Sequence, residues 1–219
     1  MPTAHTRVIA ANEYRRERWR NGFGWTREIA RIAIDAPHVE LDAEDDAWDL
    51  RLSIAEIEQD APFSLFPGID RELVLLSGAG IVLDFDDAAS IPVEPPHGRH
   101  AFAGERAVTA RLIDGRTHDF NLMSRRAACE ATLWHRPLVG PMVIFGDPCS
   151  VWCLHVMAGH ARFGGQRMPV LEAGDSAILS AGGDRLRQAL EGSGEVLLVR
   201  ASPRSGGPDR DVAADALRI

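Results

Sequence analysis

An all-β fold, a sandwich or barrel of many short strands, is what this sequence predicts, and three observations predict it. Short apolar runs alternate with turn signals along the chain, several runs alternate apolar and polar residues with the period of a half-buried strand, and helical periodicity is scarce. The strand candidates are Thr26–Ile34, Trp48–Ile57, Arg71–Leu76, Gly80–Phe85, Ala107–Ile113, Val151–Val156, Ser176–Leu179 and Glu195–Arg200. Turn punctuation falls at Pro67-Gly68, Asp114-Gly115, Gly164-Gly165, Ala173-Gly174-Asp175 and Gly182-Gly183.

Taken in order, Ala11–Arg20 is the one stretch with helical pattern, enough for a turn or two. In the next segment Thr26, Glu28 and Ala30 share a face and Ile29 takes the other. Arg51, Ser53 and Ala55 oppose Leu50, Leu52 and Ile54 in the same way. Pro67-Gly68 suits the centre of a type II turn, with Pro presetting φ and Gly taking φ > 0. Further on, Asp119, Asn121 and Met123 oppose Phe120 and Leu122. Each half of the chain has a comparable strand–turn rhythm, dividing near Arg125–Arg136. The expected organisation is 1–125, 126–201 and a flexible tail over 202–219 rich in Pro, Gly, Ser and charge.

Composition removes several function classes. The 219 residues are 45% hydrophobic and 26% charged, an ordinary globular balance. No apolar run is long enough for a bilayer, and Met1-Pro-Thr-Ala-His lacks the apolar core of a signal peptide. With three cysteines, that predicts a cytoplasmic protein in a reducing compartment, with no membrane partner. A net charge of −8 argues against nucleic-acid binding. All 24 basic residues are arginine, so there is no Schiff-base lysine and no phosphate-loop lysine; arginine is the strong handle for anions, and its planar fork suits carboxylates.

The stretch from Phe63 to Phe85 resembles the first signature of cupins, which places two histidines, a glutamate and a glycine at set spacings. Ser64 and Phe66 fall on the histidine positions, Arg71 on the glutamate and Gly78 on the glycine. A hydroxyl, a ring and a guanidinium cannot ligate Fe, Mn or Zn, so no metal and no cofactor is expected there. An arginine in place of the carboxylate inverts the charge logic towards an anion. Val170–Leu179 is similar to the Gly–Asp turn of the second cupin signature, with Arg185 and Arg187 in the region of its histidine.

Five ordered segments then resemble the HutD/Ves family: Trp19 to Ile29 with Asn21, Gly22, Gly24, Thr26, Arg27 and Glu28; Arg51, Ser53 and Ala55; Phe63 to Arg71; Phe102, Gly104 and Glu105; and Asp119 to Arg125. They cover roughly residues 12 to 126, with a weaker match to about 200; bulky Phe23 and Trp25 depart from the pattern and bear on pocket access. The resemblance implies a double-stranded β-helix, the cupin jelly roll, as a bicupin with two β-barrel halves in one chain. It also implies association with histidine utilisation, with no established enzymatic reaction.

Polar faces ordinarily look at solvent. The family motifs select the polar member of each alternating pair, which instead suits a barrel interior holding a ligand. On that reading Arg71 and Arg51 receive a carboxylate, and Thr26, Ser53, Ser64 and Asn121 are neutral hydrogen bonders, with Asn21 and Phe66 also in the ligand site. Glu28 and Asp119 either hold the arginines, since an unpaired buried arginine is costly, or take a ligand N–H. Arg27 and Arg125 are expected at a surface or interface, and Trp19 and Phe66 in the core or stacked on a planar ligand. The expected function is non-enzymatic binding of a small anionic metabolite, a carboxylated intermediate of the urocanate or N-formylglutamate type. The alternative is a metal-independent isomerase or hydrolase using Glu28 or Asp119. A homodimer through sheet edges is admitted.

Other chemistries are weaker. Cys149 with Cys153 and His155 reads first as buried core. His97 and His100 lack a third ligand, and neither a Gly-x-Ser-x-Gly elbow nor a dinucleotide fingerprint is present.

Overall fold

The computed structural model describes residues 5–19, 21–35, 38–44, 47–165 and 167–204. The expected tail therefore lies outside the described residues from 205 onward. The strands are β1 His5–Ile9, β2 Arg15–Arg18, β3 Gly24–Asp35, β4 His38–Leu41, β5 Leu50–Ile57, β6 Ala61–Pro62, β7 Ile69–Ser77, β8 Ile81–Phe85 and β9 Ser90–Val93. They continue as β10 Arg99–Ala103, β11 Val108–Leu112, β12 Thr117–Arg125, β13 Cys129–Val139, β14 Met142–Gly146, β15 Val151–Phe163, β16 Leu171–Glu172, β17 Ser176–Ser180 and β18 Leu186–Pro203. No α-helix occurs among the described residues, and none of their helices is long and apolar enough to cross a membrane. The all-β expectation holds. The helical reading of Ala11–Arg20 holds only for its first turn: Ala11–Glu13 is a 3-10 turn, and Arg15–Arg18 pairs with β3 as an edge strand. Pairing to a neighbouring strand outweighs a weak local preference.

Three antiparallel sheets result. A central sheet runs β10-β7-β12-β5-β3-β2, with β4 on β3; a small sheet runs β6-β11-β8-β9; a third runs β1-β17-β15-β18-β13, carrying β14 on β18 and β16 on β15. The central and small sheets use strands up to Arg125 and the third uses strands from Cys129, except that β1 crosses over to pair with β17.

The central sheet is covered on both faces. Leu50, Leu52, Ile54, Phe120 and Leu122 join Leu133, Val151, Ile178, Leu197 and Val199 of the third sheet in one core. On the opposite face Ala55, Ile57, Leu73 and Leu75 pack with Ile81, Leu83, Phe85, Val108 and Ala110 of the small sheet. A separate core, with Leu154, Val156, Ala177, Leu179, Val196 and Leu198, fills the far side of the third sheet. The apolar members of β5 and β12 thus face the third sheet, and their polar members face an enclosed interior instead of water.

Glu28 pairs with Ser53 but Ala30 pairs with Leu52, so Ile29 is the extra residue of a β-bulge. The bulge shifts the parity of β3 by one. Ala30 therefore lies in the core with Ile29, not beside Glu28, and Arg31 comes opposite Arg51.

Candidate functional site

The interior between the central and small sheets opens into a cavity of about 690 Å³, within the roughly 300–1,000 Å³ usual for small-molecule sites. Its floor is set by strand register. Glu28, Ser53, Asn121 and Leu73 stand side by side across β3, β5, β12 and β7, and one step along stand Arg31, Arg51, Met123 and Arg71. The rim comes from Glu17 and Arg18 of β2, Trp19, Asn21 and the 62–66 segment. Of the residues expected to bind ligand, Asn21, Thr26, Arg51, Ser53, Ser64, Phe66, Arg71 and Asn121 line the cavity; Glu28 and Asp119 do not.

Arg71 dominates the site. It is 6% exposed, and among the described residues no ion pair or hydrogen bond reaches its guanidinium. Aromatic rings replace a counter-ion: the guanidinium carbon lies 5.0 Å from the centre of Phe63, 5.6 Å from Phe66 and 5.0 Å from Phe102. Such contacts are attractive but neutralise no charge. Burial, and then the nearby Arg51, lower its pKa to about 10, so it remains cationic at neutral pH. The partner acid expected for a buried arginine goes elsewhere. Glu28 accepts from Arg31 Nε at 2.7 Å and from Arg51 Nε at 2.9 Å, which fixes Arg51 on the cavity wall. Three arginines thus line the cavity: Arg18 at the rim pairs with Glu58 at 2.9 Å, Arg51 pairs with Glu28, and Arg71 alone has no carboxylate partner among the described residues.

The neutral groups complete the wall. Trp19 Nε1 donates to Thr26 Oγ1 at 2.9 Å, and the Trp19 ring meets Phe63 edge-on at 6.1 Å. Asn21 Oδ1 accepts from the Phe23 amide at 3.0 Å, a local turn that shapes the rim. Asn121 Oδ1 is buried without a hydrogen-bond partner among the described residues. Asp119 lies a register step deeper, between Ala55 and Leu75, fully buried with both oxygens unpartnered among the described residues. Burial raises its pKa to about 7.

The turn at Pro67-Gly68 forms as its residues require: Ile69 N–H donates to the Phe66 carbonyl at 3.2 Å, and Gly68 has φ +76°. That turn presents Phe66 to Arg71. Sequence reasoning named Phe63 and Phe102 only as motif members and missed their role around Arg71; their presence in the motifs was the available signal. Arg31 was missed because the bulge is not visible in an alternation pattern.

Neither Trp25 nor Phe23 is on the cavity wall; Trp25 lies under Arg16 and the rim residue Arg18, at 3.9 and 4.7 Å. Arg27 and Arg125 lie off the cavity and are partly exposed, at 29% and 38%, and each also holds a backbone carbonyl: Arg27 Nη2 donates to the Ala11 carbonyl at 2.8 Å, and Arg125 Nη2 donates to the Trp48 carbonyl at 2.9 Å. Cys153 and His155 are buried, with His155 Nδ1 3.0 Å from Ser176 Oγ.

The resemblance to the cupin signature would imply a metal at that position. The residues there do not fit one: Ser64, Phe66 and Arg71 converge on the cavity, but a buried guanidinium among rings repels a cation and supplies no ligand atom.

These features define an all-β protein of cupin-like architecture whose signature cavity carries arginine in place of metal ligands. The chain belongs to the HutD family, whose profile matches residues 11–198. A Pseudomonas putida protein described as an uncharacterized 21.2 kDa protein in the hutC 3' region is 37% identical over 116 residues, 53% of this chain and 56% of that protein. Protein Ves of Citrobacter koseri is 39% identical over 114 residues, 52% of this chain and 54% of its own. The chain thus spans just over half the length of the curated relatives it matches. HutD from Pseudomonas fluorescens SBW25, a formate-condition structure, superposes with a TM-score of 0.76 at 28% identity, over 92% of this chain and 100% of that one. Nickel-bound Escherichia coli pirin aligns over 92% of this chain and 100% of its own, at a TM-score of 0.62 and 11% identity; that likeness speaks to the cupin-like fold alone.

Proposed function

We propose that this protein binds a small carboxylate in the cavity, with Arg71 as its anchor, and acts as a non-enzymatic sensor or modulator of histidine utilisation. The observation that carries the reading is the buried Arg71 guanidinium, cationic, open to the cavity and without an acid of its own. An incoming carboxylate offers the bidentate pairing that the site lacks and repays part of the cost of burying the charge. Arg51, already held by Glu28, adds positive potential without needing to reorganise. Asn121 Oδ1 calls for an N–H donor, and Trp19, Phe63 and Phe66 supply flat apolar walls. A carboxylate joined to an imidazole or formamide N–H meets these demands, which favours ligands of the urocanate or N-formylglutamate type. The hutC-region description of the Pseudomonas putida relative supports that pathway, and the formate condition of the Pseudomonas fluorescens structure suggests formate as the smallest probe.

On the same proposal the architecture is a double cupin. The interior between the central and small sheets is the binding half, and the filled core beyond the third sheet is the other. The catalytic alternative is less well supplied with groups, because Glu28 is engaged by two arginines and Asp119 is walled off from the cavity.

The test is thermal stabilisation by urocanate, N-formylglutamate and formate. A saturating ligand should raise Tm by roughly 5–10 °C in the native protein. Arg71→Ala should abolish that shift while leaving the far-ultraviolet circular dichroism unchanged. An undiminished shift in Arg71→Ala would remove Arg71 as the anchor.

A further inference from the structure

We infer that His97, His135 and Glu195 form a second site, distinct from the cavity, that binds a divalent transition-metal ion of the Zn²⁺, Ni²⁺ or Cu²⁺ class and ties the two strand sets together. His97 sits in the turn between β9 and β10; His135 is on β13 and Glu195 on β18. Glu195 pairs with Pro137, so His135 and Glu195 are diagonal neighbours on one face of the third sheet. His97 arrives from the other strand set in a left-handed conformation, φ +52°, that aims its ring at them.

The three donor atoms already converge. His97 Nε2 lies 2.9 Å and His135 Nε2 3.2 Å from the same Glu195 Oε2, and the two imidazole centres are 4.7 Å apart. Ligand atoms around a tetrahedral zinc at about 2.0–2.1 Å stand roughly 3.3 Å from one another, so little movement is needed to admit an ion. The outer interaction is in place as well. His97 Nδ1 lies 3.3 Å from the Leu75 carbonyl, which can only accept; an Nδ1–H donated there leaves Nε2, the atom that faces Glu195, to ligate a metal.

The chemistry of the set decides the class of ion. Two imidazoles and one carboxylate suit borderline divalent ions over Mg²⁺ or Ca²⁺, which want oxygen. Each side chain is only partly buried (26%, 33% and 43% exposed), so solvent can fill the remaining positions. The sequence reading set His97 beside His100 and found no third ligand. The structure instead supplies two partners from remote strands, and among the described residues this is the one His/Cys/Asp/Glu group with such convergence.

The experiment is Zn²⁺ titration of the full chain, purified without a polyhistidine tag, in competition with a chromogenic chelator. The expected result is one tight equivalent and a rise in Tm. His97→Ala and His135→Ala should each weaken binding by at least about tenfold and abolish the Tm rise, and the exposed His160→Ala should change neither. His135→Ala, on a strand interior, guards against loop collapse in His97→Ala, and circular dichroism checks both folds. Undiminished zinc affinity in both histidine variants overturns the site, as does native affinity no higher than that of the His97/His135 double variant. Neither result bears on Arg71, so this inference and the anion proposal stand or fall separately.

Discussion

Asp119 holds a carboxyl in an apolar wall with no partner among the described residues, and burial lifts its pKa to about 7. In an unfolded chain the same group titrates near ~3.9. Between those values the folded protein keeps the proton and the unfolded chain has lost it. The contribution of Asp119 to stability is therefore largest below pH ~4, declines as pH rises towards 7, and is lost above that, a change on the order of a few kcal/mol. His155 opposes it: burial pushes its pKa down to about 4, so folding binds fewer protons there and stability grows from pH ~4 to ~6.5. Comparing native protein with Asp119→Asn isolates the carboxyl. Urea midpoints at pH 5 and pH 8 should show the variant gaining on the native protein at the higher pH, and a pH-independent difference would contradict the burial argument. Sequence alone placed Asp119 beside Asn121 on one face, correctly, but not how deep it lay. Depth depends on which residues of β8 and β11 cover that face, and alternation along one strand carries no such information. The same limit applied to Glu28, whose choice of Arg31 and Arg51 follows from a bulge.

At the scale of elements, every strand run read from the sequence exists, with boundaries shifted by a few residues or extended. The short strands β1, β4, β6, β9, β10, β14 and β16 have no counterpart among those runs, β12 was read only through its faces, and β2 and β13 were absent as well. Arg15–Arg18 is wholly polar, and Cys129–Val139 mixes charges and Pro137 with apolar residues, so neither shows the alternation that marks a strand. The turn that carries Phe66 was legible from Pro67-Gly68, but what secures it was not. Gly104 donates from its amide to the Ile69 carbonyl at 2.7 Å and accepts from Phe66 N–H at 2.8 Å, and a Cβ there would stand 2.6 Å from the Phe66 carbonyl oxygen. Gly104→Ala must push the turn away, costing about 1–3 kcal/mol and weakening ligand binding as Phe66 leaves Arg71. Gly115→Ala is the control: its φ of +64° makes alanine costly by about 1–2 kcal/mol, but nothing lies within 4 Å and the cavity is remote. Calorimetric affinities should fall for Gly104→Ala and hold for Gly115→Ala. Equal affinities would detach Gly104 from the site.

Across the whole molecule, the rhythm of the sequence shows two comparable strand sets but not which faces meet, because the residues in contact come from opposite ends of the chain. The central sheet packs its apolar face on the third sheet, so neither set closes its core alone. The N-terminal segment adds a second link. β1 joins β17, the Ala11 amide donates to Asp175 Oδ1 at 2.8 Å, and Arg27 returns from β3 to the Ala11 carbonyl. Tyr14 completes it: buried, with its pKa raised to about 12, its hydroxyl donates to the Gly174 carbonyl at 2.7 Å and lies 2.7 Å from Ser176 Oγ, which in turn meets His155. A shared core of this kind predicts one cooperative unfolding transition, because exposing either set strips the apolar face of the other. Tryptophans report on both, Trp19 and Trp48 in the first set and Trp134 and Trp152 in the second. Tyr14→Phe removes one hydroxyl and leaves the Gly174 carbonyl and Ser176 short of a partner, at a cost of about 1–3 kcal/mol. Urea unfolding followed by tryptophan fluorescence and far-ultraviolet circular dichroism should therefore shift to a lower midpoint with both probes still coincident. Two separated transitions in the native protein would mean that the sets fold independently; separation only in Tyr14→Phe would make the N-terminal link, not the shared core, the source of cooperativity.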